Sequence, residues 1–323
     1  MSDARVLPFP PEDRSGPAGT ESATAGTAEP GLSDALRDAL GARGRDLDRK
    51  AAGALAFLRR RVSGEYEVDE FGADPDLTDH VLLAPFRPLY DHWFRVEIRG
   101  EENVPAEGAG LVVGNHSGTI PLDAIMTMLA LRDHHPAQRR LRPLGADLVF
   151  GLPFVGEYAR KAGVTLACAP DAERLLTGGE LVGVWPEGYK GIGKPFRERY
   201  KLQRFGRGGF VAAALRTGAP IIPTAVVGAE ETYPVIGNSR TLARVLGVPY
   251  LPLTPTFPWL GPLGLVPLPS KWLIEFGRPV PTDHYPEGAA DDPSLVFEVA
   301  DQVREVIQQT LYRLLMQRRS VFT

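Results

Sequence analysis

Short apolar runs alternate with amphipathic stretches along most of this chain, from about residue 94 onward. The runs Leu111–Val113, Leu181–Trp185 and Pro220–Val227 are largely apolar, which is typical of strands buried on both faces of a sheet. Asp292 and Pro293, a capping residue and a first-turn proline, predict the start of a long helix. Further strands are predicted at Phe94–Ile98, Val164–Ala167 and Trp272–Phe276, and further helices at Pro121–Leu131, Asp171–Leu176 and Gly209–Arg216. This alternation predicts an α/β fold with a mixed, mostly parallel sheet flanked by helices.

The first third of the chain has a different pattern. Residues 1–30 are rich in Pro, Gly, Ala, Ser, Thr and Glu, with almost no large apolar side chains, which predicts a disordered tail. Helical spacing of apolar residues follows, so residues 31–93 are predicted to form a helical N-terminal lead-in. Residues 94–323, including the C-terminal helix, are predicted to form the α/β domain.

Composition narrows the class of protein. The 323 residues carry a net charge of −4, whereas a nucleic-acid-binding protein is normally basic, so no nucleic-acid partner is expected. Cys168 is the single cysteine, which excludes a disulfide within the chain, and no signal peptide is recognised, so a reducing compartment is expected. No run of about 18 apolar residues free of proline and charge occurs, so no transmembrane helix is predicted.

Candidate chemistry follows the first of the buried strands. His116 comes directly after this strand, and Asp123 lies at the start of the next predicted helix. Ligands of open α/β sheets bind beyond the carboxyl ends of the strands. An imidazole there can take a proton from a hydroxyl near neutral pH, most effectively when a carboxylate fixes its tautomer. The alternative is a structural histidine and an aspartate that only caps the helix.

A second polar turn follows the strand Leu181–Trp185. A Pro-Glu-Gly sequence puts the carboxylate of Glu187 on a sharp turn, with Lys190 three residues further on. The seven cations that begin here fall within 18 residues and are Lys190, Lys194, Arg197, Arg199, Lys201, Arg204 and Arg207. Such a cluster would attract phosphate groups; the alternative is a solvated charged face.

Three blocks of the sequence together resemble the PlsC-type glycerolipid acyltransferases. They are Asn115-His116 followed by Asp123, the turn from Trp185 to Gly188, and the run from Ala219 to Thr224. The blocks stand in that family's order, and the resemblance covers about residues 95–280. It implies a PlsC-like acyltransferase fold and transfer of a fatty acyl group from acyl-CoA or acyl-carrier protein to a hydroxyl of a glycerolipid or lysophospholipid. It implies no metal and no cofactor besides the acyl donor.

The resemblance also assigns roles by position. His116 corresponds to the family's catalytic base and Asp123 to the acid that orients it, while Glu187 is expected to position the acceptor. From the turn after His116 alone, backbone N–H groups at residues 117–119 are predicted to stabilise the oxyanion. The substrate-binding residues expected in all are Ser117, Gly118, Thr119, Pro186, Glu187, Gly188, Lys190, Lys194 and Pro223, the lysines for a phosphate group and Pro223 for the acyl pocket.

The sequence departs from the family pattern in one spacing. Six residues separate His116 from Asp123, where the family has four. If the wider loop holds the two side chains apart, a catalytically silent lipid-binding protein on the same fold becomes the better interpretation. Whether the side chains face each other in the folded chain distinguishes these two functions.

A lipid acceptor implies a membrane partner. Residues 245–270 carry no charge, include Phe257 and Trp259, and contain seven prolines, which exclude a spanning helix. This stretch predicts an apolar loop that touches the bilayer or walls the acyl channel; the alternative is a buried proline-rich excursion. Together with the basic cluster, it predicts a cytoplasmic protein bound reversibly to the inner face of the cell membrane.

Overall fold

The computed structural model describes residue 48 and residues 51–117, 120–206, 208–245 and 251–322. The chain divides into two units at residues 56 and 57, and the second unit, from residue 57 onward, is compact. Residues 51–63 are helical and are labelled α1. The predicted tail at residues 1–30 lies outside the described residues, and the division at residues 93 and 94 stays a prediction.

Seven strands of the second unit form one sheet, and two form a separate hairpin. The sheet has the order β1-β9-β6-β2-β5-β3-β4, and β7 pairs with β8. The strands are β1 (Glu97–Arg99), β2 (Gly110–Gly114), β3 (Leu141–Gly145), β4 (Thr165–Leu166), β5 (Leu181–Val184), β6 (Ile221–Val227), β7 (Gly237–Asn238), β8 (Pro252–Leu253) and β9 (Leu273–Phe276). Every pair within the sheet is parallel except β6 with β9. The predicted mixed, mostly parallel sheet is confirmed.

Helices cover both faces of the sheet. The α-helices after α1 are α2 (Pro75–Leu77), α3 (Leu122–Leu129), α4 (Asp147–Gly151), α5 (Val155–Lys161), α6 (Ala169–Thr177), α7 (Tyr189–Ile192), α8 (Gly209–Thr217), α9 (Ala229–Thr232), α10 (Arg240–Val245) and α11 (Pro293–Gln317). One core lies between the sheet and helices α6, α8 and α11, and a second lies on the α3 face, where Phe94 stacks on Trp272 at 4.7 Å between ring centroids. The Asp292 carboxylate caps α11 as predicted, accepting from Ser294 N at 2.9 Å.

Strand β3 has no counterpart in the sequence-based prediction. It contains Arg142 and Pro143, so it lacks the apolar run that identifies a buried strand. It nevertheless pairs with β5 on one side and β4 on the other, which extends the sheet beyond the apolar strands.

The sheet topology fixes where the polar turns meet. Strand β2 lies between β5 and β6, and all three run parallel, with β3 parallel to β5. We call the edge where these four strands end the C-terminal edge of the sheet. The segments that carry His116 and Glu187 leave from neighbouring strands at this edge. Among the described residues, no helix combines the length and hydrophobicity needed to cross a bilayer.

Candidate active site

The end of β2 is held by a side chain that replaces backbone pairing. Asn115 is fully buried; its Nδ2 donates to Val226 O at 3.0 Å, and its Oδ1 accepts from Val226 N at 2.7 Å. These two bonds continue the β2–β6 ladder by one residue after the strand itself has ended. The backbone of the next residue, His116, therefore leaves the sheet at a fixed position.

His116 and Asp123 face each other across the widened loop. Nδ1 of His116 lies 2.7 Å from Oδ2 of Asp123, and the Asp123 side chain is fully buried. Because a carboxylate accepts this hydrogen bond, the neutral imidazole in this contact carries its proton on Nδ1, which leaves Nε2 as an acceptor. The His116 side chain remains 15% exposed. The arrangement is that of a base with an orienting carboxylate.

Asp123 holds this position through the backbone around it. Its Oδ2 also accepts from Ser117 N at 2.9 Å, and its Oδ1 accepts from Ala124 N at 2.9 Å. It lies in the first turn of α3, where the helix dipole favours a negative charge. The capping position of α3 belongs to Pro121, so the interpretation of Asp123 as a mere cap is wrong.

The same contacts correct the predicted oxyanion site. The N–H of Ser117 donates to Asp123, so it cannot also point at a developing oxyanion in this arrangement. Residue Ser117 is buried with only 1% of its surface exposed, which also removes it as a direct substrate ligand. Gly118 and Thr119, which complete the predicted oxyanion turn, lie outside the described residues.

Glu187 is turned inward, toward His116. Its Oε1 accepts from the backbone N of His116 at 2.9 Å, and its Oε2 accepts from Gln203 N at 2.6 Å. Gly188 makes this possible because its φ of 56° lies in a region that favours glycine, and Tyr189 and Lys190 then emerge on the surface. The carboxylate expected to contact the acceptor is instead engaged in holding the histidine backbone.

Lys194 is not part of the basic surface. Its ammonium lies 3.5 Å from Glu187 Oε2 and 3.2 Å from Glu230 Oε1, and only 1% of its side chain is exposed. The prediction that Lys194 binds a substrate phosphate is therefore wrong, because both neighbouring carboxylates already pair with a charge shielded from water. We call Glu187, Lys194 and Glu230 the buried ion cluster.

Burial has a large effect on one member of this cluster. Loss of hydration raises the pKa of Glu230 to about 7, even though Lys194 and the backbone N of Tyr200 both favour its ionised form. Two carboxylates share one ammonium here, and the neighbouring charge of Glu187 adds to the rise. Glu230 follows the end of β6, so the cluster joins the segments after β5 and β6 to His116 after β2.

The remaining predicted residues lie at the C-terminal edge or near it. Lys190 is exposed, as are the four described cations that follow Lys194 in the cluster, namely Arg197, Arg199, Lys201 and Arg204. Pro186 and Gly188 are half-buried in the turn, and Pro223 is buried within β6, opposite Val113 of β2. Arg207 lies outside the described residues. The substrate roles of Lys190 and Pro223 stay predictions.

The sequence analysis named Asn115 beside His116 without a role for it, and it missed Gln203 and Glu230 as parts of this site. The sequence does contain a signal for Glu230, because this residue follows a buried strand as His116 and Glu187 do. Among the described residues, no three His, Cys, Asp or Glu side chains are grouped as metal ligands.

The chain matches one protein family and several known relatives. Residues 95–227 match the Acyltransferase family. An uncharacterized protein of Mycobacterium tuberculosis is 57% identical over 277 residues, covering 86% of this chain and 77% of that protein. A Bos taurus protein named DGAT1/2-independent enzyme synthesizing storage lipids is 25% identical over 67% of this chain and 59% of its own length.

A solved structure shares the fold. The 1-acyl-sn-glycerophosphate (LPA) acyltransferase PlsC from Thermotoga maritima superposes with a TM-score of 0.50 at 18% identity. The match covers 84% of this chain and 98% of that one. The sheet and its flanking helices are therefore common to the two chains.

We expect Lys194→Met to lower the free energy of unfolding by about 3–5 kcal/mol, because it leaves two buried carboxylates without their cation. Denaturant unfolding measures this loss. Lys190→Met is the matched control, since Lys190 is exposed in the same segment, and we expect its effect to stay within about 0.5 kcal/mol. Equal effects of the two substitutions would contradict the buried position of Lys194.

The raised pKa of Glu230 predicts a dependence of stability on pH. In the folded chain the Glu230 carboxyl keeps its proton up to about pH 7, whereas the ordinary pKa of this group is 4.5. The stabilisation that comes from this bound proton is therefore complete below the ordinary pKa, and it is lost as the pH rises through the pKa of the folded state. The free energy of unfolding should therefore fall relative to that of Glu230→Gln between about pH 5 and pH 8. Unfolding curves of both proteins across this range test it, and a constant difference would refute it.

Proposed function

This chain belongs to the PlsC-type acyltransferase family and is an O-acyltransferase of the glycerolipid type, and from that premise we propose its reaction. A fatty acyl group moves from an acyl thioester, either acyl-CoA or acyl-carrier protein, to a hydroxyl of a glycerolipid or lysophospholipid. The observation that carries the proposal is the 2.7 Å contact of His116 Nδ1 with the buried carboxylate of Asp123. It supports Nε2 as the proton acceptor at the C-terminal edge.

The proposed chemistry needs a single base. His116 Nε2 takes the proton of the acceptor hydroxyl while the hydroxyl oxygen attacks the thioester carbonyl carbon. Asp123 keeps the ring oriented and stabilises the imidazolium that forms. The C–S bond then breaks, and the imidazolium returns its proton to the leaving thiolate. No acyl-enzyme intermediate and no cofactor besides the thioester is required by this sequence of steps.

In this proposal the buried ion cluster positions the base instead of binding substrate. Glu187 accepts from the backbone N of His116, so a shift of its carboxylate would move the histidine against the acceptor. The exposed Lys190, together with the half-buried Pro186 and Gly188 beside it, binds the phosphate-bearing part of the acceptor or donor. Pro223 lies deeper, on the acyl-chain side.

Because its acceptor is a lipid, we propose that the reaction takes place at a membrane surface, on the cytoplasmic, inner face of the cell membrane. Support comes from the segment 259–266, where Trp259 and Leu263 are 68% and 71% exposed, while Phe257 is half-buried. This segment lies between β8 and β9, and β9 begins beside the end of β6, the neighbour of β2 in the sheet. Exposed cations in residues 190–204 add attraction to anionic lipid, about 1 kcal/mol for each one near the surface.

We expect His116→Ala to lower kcat/KM for acyl transfer by about 10²–10⁴-fold, because it removes a positioned base. Asp123→Asn should also be severely impaired, since an amide can hold the ring but cannot stabilise its cation. Assays of the purified protein with a thioester donor and a panel of lysophosphatidic acid, other lysophospholipids, monoacylglycerol and diacylglycerol measure both. His92→Ala, at an exposed histidine, is the control. More than about a tenth of the wild-type rate in His116→Ala would rule out this base.

We expect the protein to co-sediment with anionic vesicles, and to do so less at high salt, because surface charges are screened. Trp259→Ser/Leu263→Ser should weaken binding further, because inserted apolar surface contributes about 25 cal/mol per Å². Tyr312→Ser removes an exposed ring from helix α11 and serves as the control. If the double variant binds as tightly as wild type, segment 259–266 is not the contact.

A further inference from the structure

A second exposed apolar segment lies at the C-terminal edge, and no sequence pattern drew attention to it. It consists of residues 148–155, which form most of α4 and the turn into α5 and which follow strand β3. We call this segment the corner. Residues 151–155 read Gly-Leu-Pro-Phe-Val, and all five are exposed, with Phe154 at 92%. No charged residue falls between Asp147 and Glu157. An apolar corner of this length is unusual on a surface that faces only water.

The backbone of the corner directs Phe154 outward. Phe154 has a φ of 63° and a ψ of −39°, a combination that lies outside the helical and extended regions and that a bulky residue adopts only under strain. The turn is closed by Val155 N donating to Pro153 O at 2.7 Å and by Gly156 N donating to Leu152 O at 3.1 Å. A Cβ on Gly156 would lie 2.5 Å from Phe150 O, so the corner is packed tightly beneath its exposed tip. The fold thus bears backbone strain to display a ring that it does not bury.

The position of the corner relates it to the site. Strand β3 is parallel to β5 and β2, so the corner and His116 leave the same edge, two strands apart, or about 10 Å. On the other side of β2, segment 259–266 precedes β9, and the start of β9 pairs with the end of β6, since Leu273 is opposite Val227. The His116–Asp123 pair therefore lies between two exposed apolar segments.

The charge that follows β5, the strand between β3 and β2, identifies the occupant. Tyr189 and Lys190 are exposed directly after β5, and Arg197, Arg199, Lys201 and Arg204 are exposed in the segment that follows. Apolar and aromatic tips beside a row of cations complement an anionic bilayer, with the rings in the interface and the cations at the headgroups.

From these observations we infer that residues 148–155 are a second membrane contact, which inserts on the opposite side of His116 from segment 259–266. This inference rests on the proposed function and deepens it. Two contacts that straddle the site fix the orientation of the protein, so that the C-terminal edge faces the bilayer and a hydroxyl at its surface reaches Nε2 of His116. A single contact would leave the protein free to tilt away from its acceptor.

The single cysteine of the chain makes a direct test possible. In a Cys168→Ala background, an environment-sensitive fluorophore is attached to Phe154→Cys and, in a separate protein, to Glu107→Cys. Glu107 is exposed just before β2, at the opposite end of that strand. On addition of vesicles of phosphatidylglycerol and phosphatidylcholine, emission from position 154 should rise and move to shorter wavelength, while emission from position 107 should stay unchanged.

A second measurement uses the full chain without a label. Phe154→Asn removes the ring, and asparagine is several-fold enriched among the non-glycine residues that adopt a positive φ. Its partitioning into the same vesicles should be weaker than that of wild type by about ten- to hundred-fold, as expected when 50–100 Å² or so of apolar surface no longer inserts.

The outcomes separate this inference from the proposed function. Vesicle binding with an unchanged spectrum at position 154, or with equal shifts at positions 154 and 107, would overturn the second contact while leaving surface binding intact. Absence of vesicle binding would overturn it too, and wild-type acyl transfer to a detergent-dispersed acceptor would then show whether the proposed reaction survives. A shift confined to position 154 in a protein without acyltransferase activity would uphold the contact and reject the reaction.

Discussion

The ammonium group of Lys194 lies out of water between the carboxylates of Glu187 and Glu230, and the geometry of the site depends on this buried ion cluster. Removing either sign of charge would leave the other uncompensated in a medium where that is costly. The cluster ties together turns from three neighbouring strands, because Glu187 follows β5, Glu230 follows β6, and Glu187 also accepts from the backbone of His116 after β2. The base is therefore held from behind by charges that the acceptor need not touch.

One turn divides its residues between two environments. Gly188 reverses the chain so that Glu187 points into the protein while Tyr189 and Lys190 point out of it. Gly191 then allows α7 to pack against the site, since a Cβ there would lie 2.8 Å from His116 O. A short segment after β5 thus supplies both the internal support of the histidine and part of the charged surface around it.

The sequence was informative where local pattern decides structure. The apolar runs of the sequence predict the buried strands β2, β5 and β6, and the Asp292-Pro293 pair predicts the start of α11. His116, with Asp123, is recognised as a polar residue at the end of a buried strand. It was uninformative where partners are distant along the chain. Lys194 looks like its exposed neighbours in a row of cations, and only the fold brings it to Glu230, 36 residues away. Strand β3 is hidden for a related reason, because Arg142 is buried by pairing with Asp69 from far earlier in the chain.

The amide of Asn115 bonds to the backbone of Val226, 111 positions further along. During synthesis, the residues that flank His116 leave the ribosome long before this partner exists. Contacts between residues so far apart form late, because the entropy of closing the intervening loop must first be overcome. A nascent chain that already contains His116, Asp123 and Glu187 therefore still lacks the anchor that fixes the end of β2. The order of synthesis thus delays assembly of the site until strand β6 has emerged and joined the sheet.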